Sequence, residues 1–193
     1  MGLHRREVVA DLLRDRDENV LVVAGLGSPC WDVSHAGDVP ENFYVWGAMG
    51  GAAMIGYGVA RTQPDKRVLV VTGDGDMLMG MGAFATIAHN PVSNLAIVVL
   101  DNGRFGETGG QPTHTTGPTD LAAIAKGAGI GTTETISAEA DLDRLKGLAL
   151  HEPGPVVAVV KVLYEDLKFH LPSNSGSYLK DRFRIAILGE GAG

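Results

Sequence analysis

The sequence predicts an α/β fold: a single open, mostly parallel sheet with helices on both faces. Apolar runs at residues 20–24, 68–72, 95–100 and 156–163 are separated by helix-length segments. Alternation of this kind builds a parallel sheet. The last run is a near-continuous β-branched stretch, as a strand buried on both faces requires. Between the second and third runs, Met77, Leu78, Met81, Phe84, Ala85 and Ala88 recur at the three-and-four spacing of one helix face.

The other elements follow in chain order. Residues 4–16 place Val8, Val9, Leu12 and Leu13 on one face, flanked by charge, and read as an amphipathic helix. Asp17 to Asn19 turn the chain into the first strand, whose exit is the glycine-rich stretch Gly25-Leu26-Gly27-Ser28-Pro29. Residues 32–44 show little periodicity and are expected to cross the top of the sheet. A helix at residues 51–61 contains Gly56 and Gly58. Glycine costs on the order of 1 kcal/mol against alanine in a helix interior, so their presence predicts close packing against a backbone or a ligand. Residues 103–118 form a loop long enough to be functional or mobile. Thr119 is expected to cap a short helix at 121–126, and a strand follows at 131–136. Ser137 is expected to cap a helix bearing the stripe Leu142, Leu145, Leu148 and Ala149, which His151-Glu152-Pro153-Gly154-Pro155 ends. In the tail, Phe183, Ile185, Ile187 and Leu188 require burial, against this domain or a second chain.

Composition narrows the function classes. A chain of 193 residues, 45% hydrophobic, suits one domain with a sizeable core. No apolar run approaches the roughly 20 residues of a membrane-spanning helix. The start carries no charged, apolar, small-residue leader, so a cytoplasmic location is expected. A net charge of -7 argues against a nucleic-acid partner. One cysteine, Cys30, leaves nothing for an intrachain disulfide or an iron–sulfur cluster. GxGxxG is absent from the first strand-to-helix turn, which removes the dinucleotide fingerprint.

The chemistry concentrates where two strands end, at Gly73-Asp74-Gly75 and at Asp101-Asn102-Gly103. Parallel strands joined by a helix finish at the same sheet edge, so Asp74 and Asn102 are expected to converge. A carboxylate and an amide carbonyl suit Mg2+, which prefers octahedral oxygen and completes its shell with water and substrate phosphate. A helix starting near Asp76 would aim free N–H groups at the same point. A metal-bound diphosphate is the occupant these features predict. Asp-Gly alone also makes hairpin turns, and the pair read without a ligand would be two sheet-edge loops rich in turn formers.

Gly73-Asp74-Gly75 followed by twenty-six residues and Asn102 resembles the thiamine diphosphate motif of the 2-oxoacid decarboxylase and acetolactate synthase superfamily. Residues 1–163 resemble its diphosphate-binding domain, with residues 164–193 as an extension that could contact another subunit. The wording Leu100-Asp101-Asn102-Gly103, then Thr108-Gly109-Gly110-Gln111-Pro112-Thr113, is most similar to the sulfopyruvate and phosphonopyruvate decarboxylases. The former are often built from two separate subunits.

The resemblance implies thiamine diphosphate and Mg2+ as cofactors, with Gly73, Gly75 and Asp76 at the diphosphate. Asp74, Asn102 and the backbone carbonyl of Arg104 would be the protein ligands of the metal. In Trp46-Gly47-Ala48-Met49-Gly50, the Gly47 carbonyl would accept from the aminopyrimidine, and Met49 would wedge between the two rings and bend the cofactor. Away from such a ligand, a methionine beside glycines is plain core. Ser28 would hydrogen-bond a phosphate oxygen; otherwise its loop is an ordinary turn.

Glu107 and His114 are the titratable groups nearest the site and the candidate catalytic residues, the alternative being solvated loop positions. Related decarboxylases carry an acid a few residues past the metal asparagine, and Glu107 falls one place short of it. In the superfamily a glutamate from a different domain faces the pyrimidine. The resemblance therefore implies a pyrimidine-binding, α-type partner subunit in a hetero-oligomer. The implied activity is decarboxylation of a small 2-oxoacid. Arg104 is the local cation for an anionic substrate head. The alternatives are a carboligase of the acetolactate synthase type, an oxidoreductase relying on another chain, and a non-catalytic Mg2+- and phosphate-binding regulatory subunit.

Overall fold

A computed structural model describes residues 2–191. Its helices are α1 (Arg5–Leu13), α2 (Ser28–Ala36), α3 (Ala52–Thr62), α4 (Asp74–Met79), α5 (Gly82–His89), α6 (Leu121–Gly127), α7 (Leu142–Lys146) and α8 (Gly176–Leu188). The strands are β1 (Val20–Ala24), β2 (Asn42–Tyr44), β3 (Arg67–Gly73), β4 (Leu95–Asp101), β5 (Arg104–Phe105), β6 (Gln111–Pro112), β7 (Thr132–Ile136) and β8 (Val156–Lys161). Six of these form one sheet in the order β2-β1-β3-β4-β8-β7, and every neighbouring pair in it is parallel. The expected open α/β sheet is the observed one.

Side chains that alternate along the strands feed two cores. Val20, Val22, Leu69 and Val71 join Val8, Leu12, Val33 and Leu145 on one face. Leu21, Val23, Val68 and Val70 join Tyr57, Phe84, Ile87 and Leu121 on the other. β4 is buried along its whole length, and no helix among the described residues is long and apolar enough to cross a membrane.

Gly56 sits where α3 meets β3: a Cβ there would lie 2.2 Å from Val70 Cγ2. Close approach to the sheet is thus why glycine tolerates its helical cost at this position. No such contact exists at Gly58.

Several expectations need correction. The segment read as an irregular crossing contains α2 and the edge strand β2. The single helix expected from Asp76 onward begins at Asp74 and breaks into α4 and α5 at Gly80, which passes so close to Gly50 that a Cβ there would lie 2.2 Å from the Gly50 carbonyl oxygen. Met81 is 37% exposed rather than core. The cap of α6 is Asp120, whose carboxylate accepts from the N–H groups of Ala122 and Ala123, not Thr119. Ser137 caps nothing: the helical stretch after it opens with a single 3-10 turn at Glu139–Asp141, whose N-cap is Ala138. The 103–118 loop is organised by the β5–β6 hairpin and two short 3-10 turns.

The tail folds back on its own domain. Leu179 and Phe183 of α8 are buried, Phe183 packs on Phe43, and Arg182 pairs with Asp38 at 3.0 Å. Ile185 and Leu188 stay about half exposed, at 48% and 58%.

One buried ionic contact fastens the first two helices. Arg5, 2% exposed, pairs with Asp32, which is fully buried, and Arg6 Nε donates to the same carboxylate at 3.0 Å. Breaking such a pair leaves an uncompensated buried charge. Asp32→Ala is expected to lower unfolding stability by about 3–5 kcal/mol in urea titrations. A change within about 0.5 kcal/mol, the range of an ordinary surface substitution, would mean that the pair does not hold α1 to α2.

Candidate functional site

Parallel pairing carries both strand ends to one edge. In the register of β3 and β4, Gly73 lies opposite Leu100. Asp74 and Asn102 therefore follow within two residues on strands roughly 4.8 Å apart. Both line one cavity of about 320 Å³ at the carboxyl edge of the sheet. Ser28, Met49, Gly73, Gly75, Asp76, Arg104 and Glu107 line it too, whereas Gly47 and His114 do not.

The Asp74 side chain is 2% exposed. Its Oδ2 accepts from the Thr113 hydroxyl and, at 3.2 Å, from that of Thr115. Burial pushes the carboxyl above its ordinary range; the Thr113 hydrogen bond opposes the shift and the Asp101 charge adds to it. Asp101 is itself held by Lys161 and by Thr115 at 2.7 Å. The two threonines that flank His114 thus face the site, while His114 is exposed.

Asn102 Oδ1 accepts the Arg104 N–H at 2.8 Å, a side-chain turn that redirects the backbone as it leaves β4. In the hairpin, the Gly103 and Phe105 carbonyls accept from Thr113 and Gly110, each at 2.9 Å. Carbonyls alternate along a strand, so that of Arg104 points away from the hairpin partner and is free for a ligand. The Arg104 guanidinium is turned to the Gly110 carbonyl at 3.1 Å, where it braces the hairpin.

Asp76 has both carboxylate oxygens engaged, one by the Thr72 hydroxyl and one by the Gly50 N–H. It staples the Trp46–Gly50 loop to the end of β3 and so positions Met49. Gly47 adopts φ +71°, and among the described residues no protein group donates to its carbonyl.

These residues fit a Mg2+-bound diphosphate. The donor set is a carboxylate, an amide oxygen and a peptide carbonyl, all hard oxygen. Among the described residues no group of three or more His, Cys, Asp or Glu side chains gathers as a metal site, so the softer donors that select zinc or copper do not converge. An ideal Cβ at Gly73 would find its nearest neighbour, Pro29 Cγ, only at 4.0 Å. That glycine leaves cavity space beside Asp74 unfilled. α4 is only six residues long, so its dipole is a lesser contribution than the metal.

Comparison with known proteins gives the arrangement its family. Residues 31–160 match the thiamine pyrophosphate enzyme, C-terminal TPP binding domain. The chain belongs to the thiamine pyrophosphate enzymes. Among these, it is 35% identical over 183 residues to sulfopyruvate decarboxylase subunit beta of Methanocaldococcus jannaschii, covering 95% of this chain and 96% of that one. It is 36% identical over 146 residues to phosphonopyruvate decarboxylase of Streptomyces viridochromogenes, covering 76% of this chain and 36% of that one. The X-ray structure of a thiamin diphosphate-dependent protein from Mycobacterium smegmatis shares the fold, with a TM-score of 0.66 and 24% identity over 84% of this chain and 32% of that one.

Three residues of this thiamine pyrophosphate enzyme site escaped the sequence reading. Thr113 and Thr115 carried a faint signal, their alternation about His114. Arg5, on α1, lines the cavity with no local motif to mark it. Asp76→Ala would take the acceptor from the partly buried Gly50 N–H and is expected to cost roughly 1–3 kcal/mol in chemical denaturation. Unchanged stability would show that this carboxylate does not staple the Met49 loop.

Proposed function

We propose that this chain is the cofactor-binding, β-type subunit of a thiamine diphosphate-dependent 2-oxoacid decarboxylase of the sulfopyruvate and phosphonopyruvate type. Residues 1–163 are taken as the cofactor-binding unit and residues 164–193 as its extension. The observation that carries the reading is a single cavity lined by Asp74, Asn102 and Arg104, in a chain that matches a protein named as a decarboxylase β subunit over nearly all of its length.

Each residue then has a task. Asp74, Asn102 and the Arg104 carbonyl hold Mg2+, and the metal in turn fixes the diphosphate. Ser28 donates to a phosphate oxygen. Met49 would press against the bound cofactor, Gly47, off the cavity wall, would keep its carbonyl available to the aminopyrimidine, and Asp76 keeps their loop in place. When bound, thiamine diphosphate supplies a thiazolium carbon that adds to the keto group and accepts the electron pair left as carbon dioxide departs.

Glu107 lies across from Gly27, where a Cβ would meet its carboxylate at 3.1 Å. Partial burial raises its pKa. Its task is to hold a proton on the cavity wall that faces Gly27. The pyrimidine-facing glutamate is assigned to an α-type partner chain.

Asp74→Ala is expected to abolish Mg2+-dependent thiamine diphosphate binding by the assembled complex in calorimetry. Unchanged affinity would refute the site. The isolated chain is expected to decarboxylate no 2-oxoacid, and robust turnover by it alone would remove the partner from the scheme.

A proton held on Glu107 is present below its pKa and lost above it. Activity should therefore fall with rising pH through a limb that lies above the ordinary glutamate value of 4.5, and Glu107→Gln should erase that limb. A pH–rate profile with the same limb in both proteins would contradict the assignment.

A further inference from the structure

Arg5 is the charged group of the cavity that the tasks above leave unused. Its guanidinium is 2% exposed, and the hydrogen bond it makes among the described residues is from Nη1 to Asp32. A guanidinium carries five N–H donors, so most of them remain free. Arg5 and Arg6 share the single carboxylate of Asp32. Donors left free on a nearly dry guanidinium call for an acceptor.

The surroundings locate that acceptor. A second compartment of about 170 Å³ shares Arg5, Ser28, Asn102, Gly106 and Glu107 with the main cavity, but neither Met49 nor Met79. Arg5 therefore stands at the end away from the ring-wedging methionine, beside the serine and the metal-site asparagine. The same wall offers further donors. α2 begins at Ser28 with no side-chain cap, and the Trp31 indole N–H, one turn along, is buried without a partner among the described residues. Glu165, with a buried Oε2 that has no partner among the described residues, and Asp166 line the second compartment and not the main cavity, and Glu107 lines both. An anion is thus favoured on the main-cavity side of Arg5, beside Ser28 and Asn102, rather than in the acidic second compartment.

We infer that Arg5, held in place by Asp32, donates to the terminal phosphate of the bound diphosphate on the main-cavity side, beside Ser28 and Asn102. The inference rests on the proposed cofactor role. Mg2+ and Asp74 secure one side of the diphosphate, and Arg5 neutralises the charge left on the outer phosphate. Arg104, with its guanidinium turned to the hairpin, has no part in this.

The test is calorimetry on the full chain in its native complex, with Mg2+ and either thiamine diphosphate or thiamine monophosphate as the probe. Arg5→Met is expected to raise the Kd for the diphosphate by roughly tenfold to a hundredfold, the scale of one charge-assisted hydrogen bond. The monophosphate Kd should move by less than about twofold, since that ligand lacks the outer phosphate. Because Arg5→Met strands Asp32, the double variant Arg5→Met with Asp32→Asn removes both charges. It should keep the wild-type melting temperature more nearly and still lose the preference for diphosphate. Undiminished diphosphate affinity in the double variant, or a raised substrate KM with unchanged diphosphate Kd, would overturn the inference. Failure of the wild-type complex to bind thiamine diphosphate at all would instead remove the cofactor role from which it starts.

Discussion

Parallel pairing of β3 with β4, in the register that sets Gly73 opposite Leu100, is the constraint from which the site follows. Two strands that run the same way must end at the same edge, whatever lies between them in sequence. Their first free residues, Asp74 and Asn102, then meet over one cavity. Hydrophobic burial on both faces enforces the register, since a slip of one residue would exchange the two cores. The position of a polar site is thus fixed by apolar side chains most of which lie away from it.

Around that edge, polar residues do two kinds of work. Thr113, Thr115 and Lys161 satisfy Asp74 and Asp101, which would otherwise be two carboxylates buried side by side. Asp76 and Asn102 shape backbone: one ties Gly50 to the end of β3, the other turns the chain toward Arg104. The hairpin after Asn102 is braced by the Arg104 guanidinium, which leaves the carbonyl of that residue free for a ligand. The site is therefore held largely by side chains acting on loops, with the sheet as the rigid base beneath them.

What the sequence made legible was what strand periodicity and turn chemistry encode. The buried strands β1, β3, β4 and β8 announce themselves as apolar runs bounded by turn formers, and the strand ends bring Asp74 and Asn102 with them. α2 hid because Pro29, Asp32 and Ser34 interrupt its apolar face. Besides burying Cys30 and Val33, it is fastened by Asp32 reaching back to Arg5 and Arg6 on α1, a contact with no local trace. The break between α4 and α5 escaped for a similar reason: the period continues through Gly80, and the close approach of Gly50 there has no local trace. The two threonines and Arg5 became visible as site residues only once tertiary packing brought the threonines to Asp74 and Arg5 to its cavity.

The claim beneath all of this is that Asp74 and Asn102 share one divalent cation with a diphosphate. Electron paramagnetic resonance with Mn2+ in place of Mg2+ tests it most directly. With thiamine diphosphate added to the assembled complex, the bound Mn2+ should show phosphorus hyperfine coupling, and Asp74→Ala or Asn102→Ala should abolish it. Phosphorus-coupled Mn2+ retained in both variants would place the metal elsewhere and contradict the account.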